Sequence, residues 1–189
     1  MNREQWLDAF TDAAREQFEQ AGKKLPALIR CGIGFPSKGM RSRVIGECWS
    51  NEASGDGAVE IFITPSLQSD SSRIADVLTH ELCHAALGIK AGHGKTFRRL
   101  ATRLGLTGKM TATVAGEGWH EWADPILARL GPLPGAELAG GLAGGKKKQT
   151  TRMLKLVCDD CAWSCRTTAS MIESDMHCPT GCGGNLLQA

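Results

Sequence analysis

His80, Glu81 and His84 are spaced as HExxH, and His93 follows nine positions after the second histidine. Two histidines four apart on a helix share a face about 6 Å apart along the axis, so both imidazoles can converge on one metal ion. Glu81 then stands beside the ion rather than on it, where its carboxylate can take a proton from a water molecule that the ion acidifies. A catalytic zinc usually keeps three protein ligands and one open position. The third ligand must therefore come from chain that has turned back after the helix. Gly88 and Gly92 flank Ile89, Lys90 and Ala91, and glycine permits the positive φ angles that end a helix and reverse the chain toward His93. His120, in the run Gly118 to Trp122, is a reserve ligand whose ordinary reading is a surface histidine near the start of an aromatic helix. Cys83, three positions from His80, reads as a core thiol rather than a nucleophile.

A second constellation lies near the C-terminus. Cys158 and Cys161 form one knuckle and Cys178 and Cys182 a second, four thiolates at the interval of a tetrahedral structural zinc with no open position. The second knuckle has one more intervening residue than the first, and Cys165 and His177 stand close enough to substitute for Cys182. A tail of this length cannot bury enough apolar surface to fold without such a staple.

The elements that must position these groups are legible as periods. Trp6, Leu7, Phe10, Ala14 and Phe18 recur at helical spacing over residues 3 to 21, and Gly22 ends the run. Segments 27 to 35 and 43 to 49 read as short strands. Val59, Ile61 and Ile63 alternate with Ala58, Glu60 and Phe62 as a third, and the turn-rich stretch 51 to 57 connects the last two. Asp70, Ser71 and Ser72 offer N-caps to the HExxH helix, whose packing stripe is Ile74, Val77, Leu78, Leu82, Ala85 and Ile89. Thr96 to Leu104 forms the next helix. The expected order is helix, strands, HExxH helix, helix: an α+β domain over residues 1–130 with a small antiparallel or mixed sheet. Pro132, Pro134, paired glycines and Lys146 to Lys148 mark 131–153 as a flexible basic linker, and 154–189 holds the cysteine cluster.

With these residues in place, the chain resembles the SprT-like zinc metalloproteases, the family of bacterial SprT proteins and the eukaryotic DNA-protein crosslink protease Spartan. The resemblance runs from about residue 5 to 130. It rests on VEIFITPSL (59–67) leading into VLTHELCHA (77–85), on His93-Gly94-Lys95-Thr96-Phe97 as the HGxxF element that supplies the third ligand, and on Arg41 to Cys48 as a short strand ending in Gly-x-Cys. The interval between His84 and His93 is shorter here than in many members. The resemblance implies a minimal zincin-like fold, often followed by a zinc ribbon, with two zinc ions, one catalytic and one structural. It also implies an endopeptidase acting on proteins bound or crosslinked to DNA.

Zincin-type proteases bind extended peptides along a strand edge beside the metal, and the strands at 43–49 and 58–63 are the candidates for that edge. Lys146, Lys147, Lys148, Arg152 and Lys155 follow one another with no acidic residue between them, and such a run can contact the phosphates of single- or double-stranded DNA without reading sequence. Solvation of the linker is the equally plain explanation, because the whole chain carries a net charge of only +2. A non-enzymatic zinc-containing module that docks on DNA or on transcription machinery is the alternative function, and Glu81 argues against it, since a structural site has no use for a carboxylate beside the ion. A metal-dependent amidase acting on a small molecule would share the chemistry. The N-terminus is charged and amphipathic and no apolar run approaches a membrane span, which predicts a cytoplasmic protein with reduced thiols and no membrane partner. No residue pattern specifies an oligomeric state.

Overall fold

A computed structural model of the chain describes residues 1–37, 44–67, 69–136, 153–172 and 175–189. The chain divides into two compact units, Met1–Gly140 and Gly141–Ala189.

The first unit is built on helix α1 (Arg3–Gln20). Asn2 caps it reciprocally: its Oδ1 accepts from the Gln5 amide at 2.8 Å, and Gln5 Oε1 accepts from the Asn2 amide at 2.8 Å. Trp6, Leu7, Phe10, Ala14 and Phe18 are all fully buried, so the apolar period seen in the sequence is the core face. Strands β1 (Ile29–Ile33), β2 (Gly46–Trp49) and β3 (Val59–Ile63) form one sheet in the order β1-β3-β2, with β1 parallel and β2 antiparallel to β3. Cys31, Val59, Ile61 and Ile63 face the core, while Phe62 and Trp49 lie on the exposed side. Because β3 is the central strand, the expected alternative that 58–63 offers a substrate edge is corrected: β2 is the bordering strand on that side.

Helix α2 (Ser71–Leu87) starts at Asp70, whose side chain accepts from the Arg73 amide at 2.9 Å. Ile74, Val77, Leu78 and Leu82 are buried as the period requires, but Ile89 is 40% exposed and lies beyond the helix in a short 3-10 turn (Ile89–Ala91). Helix α3 (Lys95–Arg103) follows. Then come strands β4 (Leu106–Lys109) and β5 (Ala112–Ala115), paired as an antiparallel hairpin that the sequence reading did not separate, and helix α4 (Glu117–Leu130), which starts at the aromatic run around His120. Gly105, at φ +83°, lets the hairpin start against α4, where a β-carbon would fall 2.0 Å from the Trp119 amide nitrogen. Residues 131–136, expected as the start of the linker, are held to this unit. Leu133 is buried, its amide donates to Ser71 Oγ at 2.7 Å, and the Trp6 indole donates to the Gly131 carbonyl at 2.8 Å.

The second unit is a three-stranded antiparallel sheet in the order β7-β6-β8, from β6 (Leu154–Cys158), β7 (Ser164–Thr167) and β8 (Leu186–Gln188). Its buried apolar residues, among those described, are Leu156, Cys158 and Cys178. The whole is a mixed α+β protein, and among the described residues no helix is long and apolar enough to cross a membrane.

Candidate metal centre

Helix α2 presents His80 and His84 one turn apart, and Gly88 (φ +80°) and Gly92 (φ +50°) bracket the 3-10 turn that returns the chain to His93. His93 Nε2 lies 3.1 Å from His80 Nε2 and 3.1 Å from His84 Nε2. Nitrogens bonded at ~2.05 Å to one tetrahedral ion stand ~3.3 Å apart, so this triangle has the size of a zinc-ligand face. Phe97 holds the three rings from behind, its centroid 4.9, 4.6 and 4.9 Å from those of His80, His84 and His93. Burial, and then the charge of the other histidines, lowers His80 to about 3 and His84 to about 4. Neutral imidazoles are the form that binds a metal.

The histidines line a cavity of about 540 Å³ with Glu81, Arg73, Thr113 and the β2 residues Gly46, Glu47 and Cys48. Glu81 is 6% exposed. Burial and the neighbouring Glu47 push its carboxyl up to about 8, against the pull of the Cys48 amide, which donates to it. A carboxyl placed near neutrality suits both taking and returning a proton. Cys83 faces the core, fully buried, where burial pushes its thiol far up. Cys48, likewise, is pushed up to about 12 by burial. Both are inert forms of cysteine.

His120 lies elsewhere, on α4, its Nδ1 3.0 Å from Asp124 Oδ1 on an exposed face. Sequence reasoning missed Thr113, whose Oγ1 is 2.9 Å from His80 Nδ1, and the Arg73–Asp76 pair beneath it. Asp76 carried a signal: a carboxylate set between Ile74 and Val77 in an otherwise apolar stretch of α2, with an arginine three positions before it.

In the second unit, Cys158, Cys161, Cys178 and Cys182 bring their sulfurs together, with 3.5 Å between Cys158 and Cys182 and 3.6 Å between Cys161 and Cys178. Sulfurs at ~2.3 Å from a tetrahedral zinc stand ~3.8 Å apart. The Cys158 sulfur accepts from the Asp160 and Cys161 amides, and the Thr180 hydroxyl beside the Cys161 sulfur favours its thiolate. Cys165 sits in β7 opposite Leu156 and His177 hydrogen-bonds Asn185, so neither joins the cluster. The two clusters are two potential metal sites whose donor sets fit zinc. Of the basic run, Lys155 lies in β6 opposite Arg166 of β7; Lys146, Lys147, Lys148 and Arg152 fall outside the described residues.

The model of the SprT-like family matches residues 8–123 of the chain, which take in most of α1, the three-stranded sheet, the histidine cluster and the start of α4. No individual curated protein matches the chain.

Proposed function

The chain belongs to the SprT-like family, and from that premise we propose that its first unit is a zinc-dependent endopeptidase that acts on proteins bound or crosslinked to DNA. The observation that carries this reading is the convergence of three neutral imidazoles and one buried, near-neutral carboxyl on a single cavity bordered by a strand.

His80, His84 and His93 would hold the ion through Nε2. A zinc ion bound there supplies a Lewis acid, which polarises a peptide carbonyl and makes water a nucleophile near neutral pH. The chain's own residues do the rest. Glu81, its carboxyl raised by burial and by Glu47 to about 8 and held by the Cys48 amide, takes the proton of the attacking water and hands it to the leaving amine. Strand β2, the border of the sheet order, supplies Gly46, Glu47 and Cys48 to the cavity wall, and an extended peptide lying along it would bring its backbone to the histidines with little demand on side-chain identity.

The second unit, with zinc held by Cys158, Cys161, Cys178 and Cys182, is the DNA-directed part of this reading. Lys155 and Arg166 stand side by side on its sheet, and Lys146, Lys147, Lys148 and Arg152 precede it in sequence. These are phosphate-contacting groups with no base-reading pattern.

Wild-type and Glu81→Gln chains, each assayed for two zinc ions, are incubated with an unfolded protein with and without single-stranded DNA. Cleavage by wild type alone, faster with DNA, is the expected result. Intact substrate in every tube with both zincs bound would overturn the protease reading in favour of a binding module.

A further inference from the structure

The hairpin β4–β5 carries a residue that meets the metal cluster from outside the family's motif. Thr113, on β5, is 5% exposed, and its Oγ1 lies 2.9 Å from His80 Nδ1. His80 Nε2 faces the cluster, 3.1 Å from His93 Nε2. With Nε2 turned to a metal, Nδ1 carries the ring proton and donates it to Thr113, which fixes both the tautomer and the angle of the ring. Among the described residues, His80 is the one histidine of the three whose second nitrogen meets a side-chain partner.

The hydroxyl is itself held in place by the helix that carries His80. Arg73, Asp76 and His80 lie at i, i+3 and i+7 of α2, a spacing that puts all three on one face. Asp76 Oδ2 accepts from the Ala115 amide at 3.0 Å, and Asp76 also takes both oxygens to Arg73 Nη1 at 2.8 and 2.7 Å. The same Nη1 donates to the Thr113 carbonyl at 3.2 Å. Two side chains, one turn apart and ahead of His80, thus grip the strand on either side of Val114 and set where the Thr113 hydroxyl falls. Asp76 is itself buried to 5% exposure, and Arg73 neutralises it there.

We propose that Thr113 is a positioning residue for the metal centre, orienting His80 through its Nδ1, and that Arg73 with the buried Asp76 positions Thr113 by clamping β5 to α2. This rests on the reading of His80 as a zinc ligand. A clamp that merely fastened the hairpin would need no hydroxyl at position 113, and that difference is open to measurement.

The test measures zinc affinity of the full chain by chelator competition, following the release step that is missing in His80→Ala. Thr113→Val keeps the side-chain shape and removes the hydroxyl, and it should weaken that step roughly 10- to 100-fold, the usual cost of losing such a partner. Thr113→Ser should restore wild-type affinity. Asp76→Asn should weaken the same step, and the double variant Thr113→Val, Asp76→Asn should be no weaker than the worse single variant, because both act through one ring. In the unsubstituted zinc-loaded chain, the His80 ring N–H should exchange with solvent more slowly than those of His84 and His93. Wild-type affinity in a folded Thr113→Val chain, or equal loss in the Val and Ser variants, would overturn the proposal, and so would equal exchange of the three ring protons should the Val variant not fold. If His80→Ala removes no zinc, the ligand reading itself fails, and this inference falls with it; two zincs with an unmoved Val variant sinks the inference alone.

Discussion

A β-carbon on Gly46 would stand 2.7 Å from Glu81 Oε1 and 2.7 Å from Val77 Cγ1, so strand β2 passes over α2 only because position 46 has no side chain. The Glu81 carboxyl occupies the space that glycine leaves, with the Cys48 amide two residues on donating to it. Gly46→Ala should therefore move the carboxyl or the strand, and either displacement should lower kcat/KM by about 100-fold, the scale on which a misplacement of about 1 Å acts. Zinc content should stay at two per chain, since no ligand is touched. A Gly46→Ala chain with wild-type turnover would show that the carboxyl has room to spare.

Phe97 is fully buried and its ring lies within 5 Å, centroid to centroid, of all three histidine rings. Removing it opens a cavity behind the ligands. Phe97→Ala should cost about 3–5 kcal/mol of stability, read as a lower urea midpoint of the first unit, and should loosen the metal as the rings gain rotational freedom. Phe97→Leu refills most of the volume, so it should recover most of the stability but less of the metal affinity. Recovery of both together would mean that Phe97 fills space without orienting the ligands.

These relationships mark where sequence is informative. The HExxH helix, its Asp70 cap and the turn between Gly88 and Gly92 are set by residues within a few positions of one another, and each was legible. The choice between β2 and β3 as the bordering strand depends on sheet order, which no local pattern carries. The β4–β5 hairpin escaped notice because its strands are four residues each and largely exposed, so they show no apolar alternation. With the hairpin unseen, Thr113 could not be placed beside His80. Residues 131–136 were misread for a related reason: prolines and glycine suggest a linker, yet Leu133 is buried and the Gly131 carbonyl takes the Trp6 indole N–H, both contacts with partners far away in sequence.

Acid should destabilise the metal-free first unit. His80 and His84 are lowered to about 3 and about 4 in the folded chain, by burial first, so the unfolded chain takes up protons before the folded one as pH falls through ~6.5. The stability from keeping them neutral is present above that value and is lost on going down toward pH 4. Glu81 runs the other way. Its folded value is raised to about 8 by burial, so the unfolded chain ionises first and stability declines as pH rises from ~4.5 toward 8. Urea unfolding of the metal-free wild type should thus show declining stability on both sides of ~6.5, and Glu81→Gln should remove the decline that runs up to about 8 while leaving the acid one. An alkaline decline unchanged in Glu81→Gln would assign it to another group.

The second unit should depend on its metal outright. Its buried apolar residues, among those described, are Leu156 and two of the cysteines themselves, Cys158 and Cys178, far too little to offset the ordering of a three-stranded sheet. A structural zinc contributes an apparent ~10–16 kcal/mol of folding free energy in small zinc domains. A strong chelator should consequently abolish the near-ultraviolet signal of Trp163, while the first unit, with its own apolar core, stays folded. The ligand set can be tested separately. Cys182→Ser should leave one zinc per chain, because its sulfur lies 3.5 Å from that of Cys158. Cys165→Ser and His177→Ala should each retain two, since Cys165 faces Leu156 across the sheet and His177 is engaged with Asn185. Loss of the second zinc in either of those variants, with Cys182→Ser retaining it, would move the fourth ligand from Cys182 to the residue whose substitution released the metal.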